Sequence, residues 1–169
     1  MVLGFVMYLV AIAFTINIAN SLKKVDGKDA AVWNIFLGAV IILMIFLGII
    51  QSWFGEGTFW WAAQVMLFGL TYLFLGINGM AGFDGRGVGW FCFFVAIYMP
   101  VPTYQVFLSG DIKLGICYAV WAVLWLLFWI ALGLRKGGAG LGKVILAMQV
   151  LVAVFTLYLP SIMIMNNWW

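Results

Sequence analysis

The 169-residue sequence has no histidine, only two cysteines and three prolines, and few charges, with five acidic and eight basic residues. Without imidazole, no unperturbed side chain changes its charge between pH 5 and 8. Two separated cysteines and a few carboxylates do not form a metal-binding pattern, so we expect no metal and no cofactor. No histidine is present to activate a serine or cysteine nucleophile, and an enzyme is therefore disfavoured. The small net charge of +3 gives no reason to expect nucleic-acid binding.

Apolar residues make up 67% of the chain and form six long runs. The runs cover residues 2–21, 31–53, 59–79, 88–108, 113–134 and 143–165. Each run reaches the length of about 20 residues with which a helix crosses a bilayer, and none alternates in the manner of a barrel strand. The short gaps leave no room for a soluble domain. We therefore predict an all-α integral membrane protein, a six-helix bundle in which residues 1–169 form a single channel domain.

The basic residues predict the orientation of the bundle, because positive charge marks the cytoplasmic side. Seven of the eight lie in or beside odd-numbered gaps: Lys23, Lys24, Lys28, Arg86, Arg135, Lys136 and Lys143. In or beside the even gaps lie Lys113, Glu56 and Asp111. Both termini are thus predicted outside, and the first run, which no basic residue precedes, is expected to be a retained helix rather than a signal peptide. Six spans also permit two inverted three-helix repeats.

Several tryptophans and glycines of the chain, and its prolines, are explained by structural roles before any functional one. Tryptophans at run ends match interfacial anchors, and these are Trp53, Trp60, Trp61, Trp90, Trp168 and Trp169. Glycines of the third span and its exit favour close helix packing, and these are Gly69, Gly76, Gly79 and Gly82. Pro100, Pro102 and Pro160 are expected to disturb the fourth and sixth helices and to free nearby carbonyls.

Aromatic side chains recur at helical spacing inside the fifth run. Tyr118, Trp121 and Trp125 fall at positions i, i+3 and i+7, which share one helix face. Shorter rows occur in the third and first runs, namely Phe68, Thr71 and Tyr72, and Phe14, Asn17 and Ser21. Composition alone favours packing or lipid contact for such side chains. However, the polar atoms of Tyr and Trp need partners in hydrocarbon, and this favours a lined passage.

The chemistry of such a lining selects its solute. An ion would lose its hydration and meet no counter-charge, because every carboxylate lies in a gap. A small, planar, neutral amide such as urea fits better, since its N–H groups can meet aromatic faces and hydroxyls. Those contacts are individually weak, about 0.5–1 kcal/mol, and weak binding allows the release that conduction requires.

Five motifs in order resemble the bacterial urea/amide channel family, which includes the acid-activated urea channel and amide transporters of amidase operons. They are LKKVDGK at 22–28 followed by Ala31 and Asn34, LFGLTYLFLGIN at 67–78, GFDGRGVGWFCFFVAI at 82–97, WAVLW at 121–125, and Leu141–Gly142–Lys143 with Pro160. The resemblance covers nearly the whole chain.

The resemblance implies a hexameric ring with a separate pore through each six-helix protomer. By position it implies the pore-lining residues Phe14, Phe68, Tyr72, Tyr118, Trp121, Leu124 and Trp125. Weaker candidates for polar contacts are Asn17, Thr71 and Thr156. Some relatives carry a carboxylate eight residues before the last proline, where this chain has Val152, and Gln149 nearly one turn away is a candidate replacement. Leu67 and Leu75 resemble packing residues.

One departure concerns gating. Acid-gated members carry a long external second loop with histidines, whereas the second gap here is about 52–58 and the chain has no histidine. We therefore predict a pore without histidine-based acid gating.

The sequence thus favours a passive channel for urea or short aliphatic amides in a bacterial inner membrane. A cytoplasmic urease or amidase would sustain the flux. One alternative is an ion-coupled secondary transporter of small amides, which would need a broken-helix site such as the proline-rich end of the fourth span. Another is an assembly subunit in which the aromatic residues only pack. Urea, acetamide, formamide and ammonia all stay open as solutes.

Overall fold

The computed structural model describes residues 2–52, 55 and 58–169, and the regular structure of that part is helical throughout. Trp53 and Glu56, which the sequence analysis placed at an interface and in a gap, lie outside the described residues. The α-helices are α1 Val2–Ser21, α2 Gly27–Ile50, α3 Thr58–Ala81, α4 Arg86–Tyr98, α5 Pro100–Leu108, α6 Ile112–Phe128, α7 Gly138–Leu151 and α8 Leu159–Met165. Two π-helical segments, Trp129–Gly133 and Val152–Tyr158, follow α6 and α7.

These elements make six segments that are long and apolar enough to cross a membrane, which confirms the predicted six-span fold. The fourth span combines α4 with α5, and the fifth and sixth include the π-helical segments. Aspartates begin two spans. Asp26 accepts a hydrogen bond from the Lys28 amide at 2.8 Å, and Asp111 accepts one from the Leu114 amide at 3.0 Å. Each carboxylate satisfies an amide that a first helical turn leaves without an intrahelical acceptor.

Prolines mark two of the three irregular spans, the fourth and the sixth, as the sequence analysis predicted. Pro100 is the first residue of α5, so the fourth span is interrupted at Met99. Pro160 is the second residue of α8, directly after the second π-helical segment. Proline has no amide hydrogen, and an acceptor one turn earlier in each span therefore loses its usual donor. The π-helical segments were not predicted from the sequence.

The chain folds into two compact units. The first unit comprises Met1–Phe83 and Ala153–Trp169, and the second comprises Asp84–Val152. The first therefore holds three complete spans with the end of the sixth, which differs from a division into two sets of three spans. The single channel domain and the inverted repeats stay predictions.

In the first unit, glycines bring the backbones of α2 and α3 together. A Cβ atom added to Gly38 would lie 2.5 Å from the Leu73 backbone nitrogen and 2.8 Å from the Gly69 carbonyl oxygen. One added to Gly76 would lie 2.6 Å from the Ala31 carbonyl oxygen. Contact at this distance requires the small residues typical of membrane helix pairs. The structural interpretation of Gly69 and Gly76 is thereby confirmed.

The second unit has a comparable contact. Gly89 of α4 faces the Gly133 backbone at the end of the first π-helical segment, where an added Cβ atom would lie 2.5 Å from the Gly133 α-carbon. Gly115 of α6 lies against the Phe107 ring of α5, which such an atom would approach to 2.6 Å. Each unit therefore depends on at least one site where a methyl group does not fit.

The substitution Gly38→Ala tests the contact between α2 and α3. We expect it to destabilise the protein by about 1–3 kcal/mol, because the new methyl group meets backbone atoms that do not yield as a flexible side chain would. Thermal unfolding of the purified protein in detergent measures the effect. Gly142→Ala is the matched control, since a Cβ atom there meets nothing within 4 Å. Equal melting temperatures for the two variants would contradict the packing interpretation.

Candidate functional site

The buried face of α6 carries the aromatic row that the sequence analysis identified. Tyr118 and Trp121 are each 3% exposed, and Leu124 and Trp125 are also buried. The ring centroids of Tyr118 and Trp121 are 5.2 Å apart, with the ring planes inclined by 33°. This helix therefore buries its tyrosine and both of its tryptophans on one side.

The corresponding face of α3 is formed by Phe68, Thr71 and Tyr72. Tyr72 is buried, whereas Phe68 and Thr71 are half-buried. The Thr71 hydroxyl donates to the Leu67 carbonyl oxygen at 2.6 Å, so its hydrogen is used within the helix while its lone pairs stay available as acceptors. Leu67 is itself buried, in agreement with a packing role, and Leu75 is half-buried.

On α1, the side chain of Asn17 is joined to Asn34 of α2 by two hydrogen bonds. Each amide donates one N–H to the carbonyl oxygen of the other, at 2.9 and 2.8 Å. Asn34 is buried, and Asn17 and Phe14 are half-buried. The pairing uses half of the hydrogen-bonding capacity of Asn17, so its first role is to connect two helices. Sequence reasoning missed Asn34 as its partner, although both residues lie near the first gap.

Two further candidates for polar contacts lie in the sixth span. Gln149 is buried in the last turn of α7, and Thr156 is buried in the π-helical segment that follows. Val152, at the position where some relatives carry a carboxylate, is buried as well. A wide turn therefore separates these two polar side chains, and π-helical turns are frequent at functional sites.

The candidate residues divide between the two units. Phe14, Asn17, Phe68, Thr71, Tyr72 and Thr156 belong to the first unit, and Tyr118, Trp121, Leu124, Trp125 and Gln149 belong to the second. Within the first unit, α1 and α2 are connected by the asparagine pair. Within the second, the α6 row is continuous along one helix. That all eleven residues line one solute path stays a prediction.

Charged side chains keep to the ends of the spans in the part of the chain that the structure describes. Lys28 and Asp29 lie in the first turn of α2, Arg86 begins α4, and Lys113 lies in the first turn of α6. Lys143 reaches only the second turn of α7. Residues 2–52, 55 and 58–169 also contain no group of three His, Cys, Asp or Glu side chains that could hold a metal ion.

An ion-pair cluster joins the third and fifth gaps of the second unit. Asp84 Oδ2 lies 2.6 Å from Arg86 Nε and 3.5 Å from Arg135 Nη2. Hydrogen bonds from the backbone and side chain of Arg86 hold the pKa of Asp84 below its ordinary value. These two odd-numbered gaps therefore lie on the same side of the unit, as the charge pattern predicted.

Two buried polar atoms have no hydrogen-bond partner among the described residues, and sequence reasoning identified neither. They are the side-chain oxygen of Gln64 in α3 and the indole nitrogen of Trp129 in the first π-helical segment. Trp129 lies among rings, with its centroid 4.5 Å from that of Phe93 and 5.9 Å from that of Trp90. The signal for Gln64 was available, because it is a neutral polar residue at the i−4 position from Phe68.

Relatives of this chain are known. A Rhodococcus erythropolis protein provisionally described as the transporter AmiS2 is 36% identical over 131 residues, which cover 77% of this chain and 63% of that protein. The match thus spans just under two thirds of that relative's length. A Mycolicibacterium smegmatis protein provisionally described as a transporter of amidate substrates is 30% identical, covering 98% of this chain and 78% of that one.

The fold has a counterpart among solved structures. The cryo-EM structure of the Helicobacter pylori urea channel in a closed state superposes with a TM-score of 0.86 at 28% identity, covering 99% of both chains. The family model of the AmiS/UreI transporters matches residues 2–168, in agreement with the expectation that the chain is not an enzyme. From the six spans, the uncharged helix faces and this match, we conclude that the chain is a multi-pass membrane protein and belongs to the AmiS/UreI family of transporters.

Proposed function

We propose that this protein is a passive channel for urea or short aliphatic amides. The observation that carries the proposal is the buried row of Tyr118, Trp121 and Trp125 on α6, in a chain whose described spans hold charged side chains only near their ends. The structural match to a urea channel over 99% of both chains supports it. The relative described as a transporter of amidate substrates supports the wider solute class.

The physical basis is selection by thickness and neutrality. Aromatic faces accept a flat solute and offer its N–H groups weak acceptors, while Thr71 and the tyrosine hydroxyls supply stronger ones. An ion that enters such a lining loses its hydration without gaining a counter-charge. A neutral amide loses much less and leaves readily, and net flux then follows the concentration gradient.

The proposed solute path includes the seven lining residues implied by the family resemblance. Asn17, Thr71, Gln149 and Thr156 are its candidate polar contacts. Asn17 keeps one N–H and one acceptor lone pair, since Asn34 occupies the other half of its amide. Gln149 and Thr156 are buried neutral groups on either side of a wide turn, and they can assist a solute without holding it.

The setting of the channel is part of the proposal. We place it in a bacterial inner membrane with both termini outside, because basic residues concentrate in the odd-numbered gaps. Residues 1–169 would form one channel domain per protomer, and six protomers a homo-oligomeric ring in the bilayer. A cytoplasmic urease or amidase would consume the solute and sustain inward flux.

A second candidate function is an ion-coupled secondary transporter of small amides. One observation favours it, namely the interruption of the fourth span at Met99, where prolines remove donors from nearby carbonyls. Uptake that collapses when an ionophore dissipates the ion gradients would support this alternative. Uptake that is indifferent to the ionophore would support the channel.

Urea permeability tests the leading proposal directly. Proteoliposomes that contain the purified protein are expected to equilibrate urea faster than empty vesicles of the same lipid, because the protein replaces a hydrocarbon barrier with a polarisable lining. Stopped-flow light scattering after a urea gradient is imposed measures the rate. Acetamide and formamide extend the series. Equal rates with and without protein would refute the proposal.

The pH dependence of that flux is expected to be flat. Between pH 5 and 8 the urea permeability should vary by less than about twofold, because the chain has no histidine to titrate. The pKa of Asp84 is lowered, so its ion pairs persist throughout this interval and are lost only at more acidic pH. The Helicobacter pylori channel, described as acid-activated, is the reference for the opposite behaviour. Strong activation at pH 5 would contradict ungated conduction.

Trp125→Ala tests the α6 row. Removing the indole widens the lining, so we expect the preference for urea over the bulkier 1,1-dimethylurea to fall by about tenfold. The ratio of the two permeabilities in proteoliposomes is the measurement. Trp33→Ala is the matched control, since Trp33 of α2 is 47% exposed and belongs to no proposed lining. An unchanged ratio in a correctly folded Trp125→Ala variant would remove this residue from the path.

A further inference from the structure

Gln64 is a buried amide of α3 with an acceptor that nothing in the described chain satisfies. The side chain is 4% exposed. Its Nε2 donates to the Trp60 carbonyl oxygen at 3.3 Å, one turn earlier in the same helix. Its Oε1 has no partner among residues 2–52, 55 and 58–169. Leaving a buried acceptor without a donor is destabilising, and more so where no bulk water can reach.

The orientation of this amide follows from its one hydrogen bond. The nitrogen must face the Trp60 carbonyl oxygen, since two oxygens in that position would repel each other. The carbonyl oxygen of Gln64 is therefore directed away from its own helix. It is a fixed, desolvated acceptor, and its natural partner is an N–H or O–H group that α3 does not supply.

The position of Gln64 on α3 connects it with the candidate site. At about 100° per residue, Gln64, Phe68 and Tyr72 lie on one face of the helix. The glycines that contact α2 lie about a quarter-turn away from that face. The exposed apolar residues Phe59, Leu70 and Ile77 lie nearly opposite to it. The centre of this face is thus separate from the glycine contact with α2 and from the exposed apolar side.

The order along the face is also defined. With a rise of 1.5 Å per residue, Gln64 lies about 6 Å from Phe68 and about 12 Å from Tyr72 along the helix axis, towards the second gap. Along α3, a solute that entered from that end would meet the amide of Gln64 before the rings of Phe68 and Tyr72. A solute gives up its hydrating water at the entrance, and it most needs a replacement hydrogen-bond acceptor there.

We propose that Gln64 is a solute-recognition residue of the channel, whose amide oxygen accepts a hydrogen bond from an N–H of urea or a primary amide. This inference rests on the proposed function and adds a specific contact to it. The amide is neutral, so it favours N–H donors without retaining a cation. It also gives the buried oxygen a partner each time a solute passes.

The test compares urea and water permeability in proteoliposomes of the whole protein. Gln64→Met keeps the length of the side chain but removes the acceptor, and we expect the ratio of urea to water permeability to fall by about three- to tenfold. Gln105→Met is the matched control, because Gln105 of α5 is exposed and belongs to no proposed path. A ratio of urea to water permeability that stays unchanged in Gln64→Met, whether or not both permeabilities fall equally, would overturn the assignment.

A second variant guards against misfolding. Gln64→Glu places a titratable group at the same position, and if that position lines the solute path we expect urea permeability to depend on pH between 5 and 8 where the parent protein is flat. A Gln64→Glu variant that keeps the urea permeability of the parent protein at every pH would contradict the proposal, as would failure of both variants to fold. Absence of urea flux in the parent protein would instead refute the channel function itself.

Discussion

The governing constraint of this molecule is that hydrocarbon offers no hydrogen-bond partners, so each polar group inside a span must find one in the protein. The described hydroxyls show the simplest solution. Thr15, Thr71 and Thr103 each donate to the carbonyl oxygen four residues earlier, at distances from 2.6 to 2.9 Å. Asn17 and Asn34 show the other solution, a reciprocal pair across two helices. Against this background, the unpartnered buried oxygen of Gln64 is an exception, and we propose a functional explanation for it.

The same constraint shapes the packing. Apolar side chains gain little by leaving lipid for another helix, so association depends on close contact rather than on the hydrophobic effect. Gly38, Gly69 and Gly76 let α2 and α3 meet backbone to backbone. This contact holds one side of α3, while the large side chains of the helix occupy its other faces. A rigid helix pair thereby positions a face that can be used for recognition.

A feature of this structure could be predicted from the sequence where its cause is local, and could not where its cause is a contact between distant parts of the chain. The spans were predictable, because the run of about 20 apolar residues is a local requirement of the bilayer. The shared face of Tyr118, Trp121 and Trp125 was predictable as well, since helical periodicity fixes it. The pairing of Asn17 with Asn34 was not, because it depends on the approach and register of two helices.

The π-helical segments show a different limit. Pro160 predicted an irregularity in the sixth span, but it did not predict a seven-residue π-helical segment from Val152 to Tyr158. A wide turn depends on how the neighbouring side chains pack, and local propensity contains little of that information. The orphaned oxygen of Gln64 depends on the same kind of information, since only the structure shows which donors lie within reach.

A neutral lining also limits which source of free energy can drive transport. Coupled transport requires a site whose affinity for an ion changes with the conformation of the protein, and such sites use charges or broken helices at membrane depth. Valine at position 152 and the confinement of described charges to helix ends leave the proposed path without a carboxylate. A path of this kind lowers a barrier but cannot store free energy from an ion gradient. In the proposed channel, sustained uptake would then depend on a reaction that consumes the solute on the side it enters.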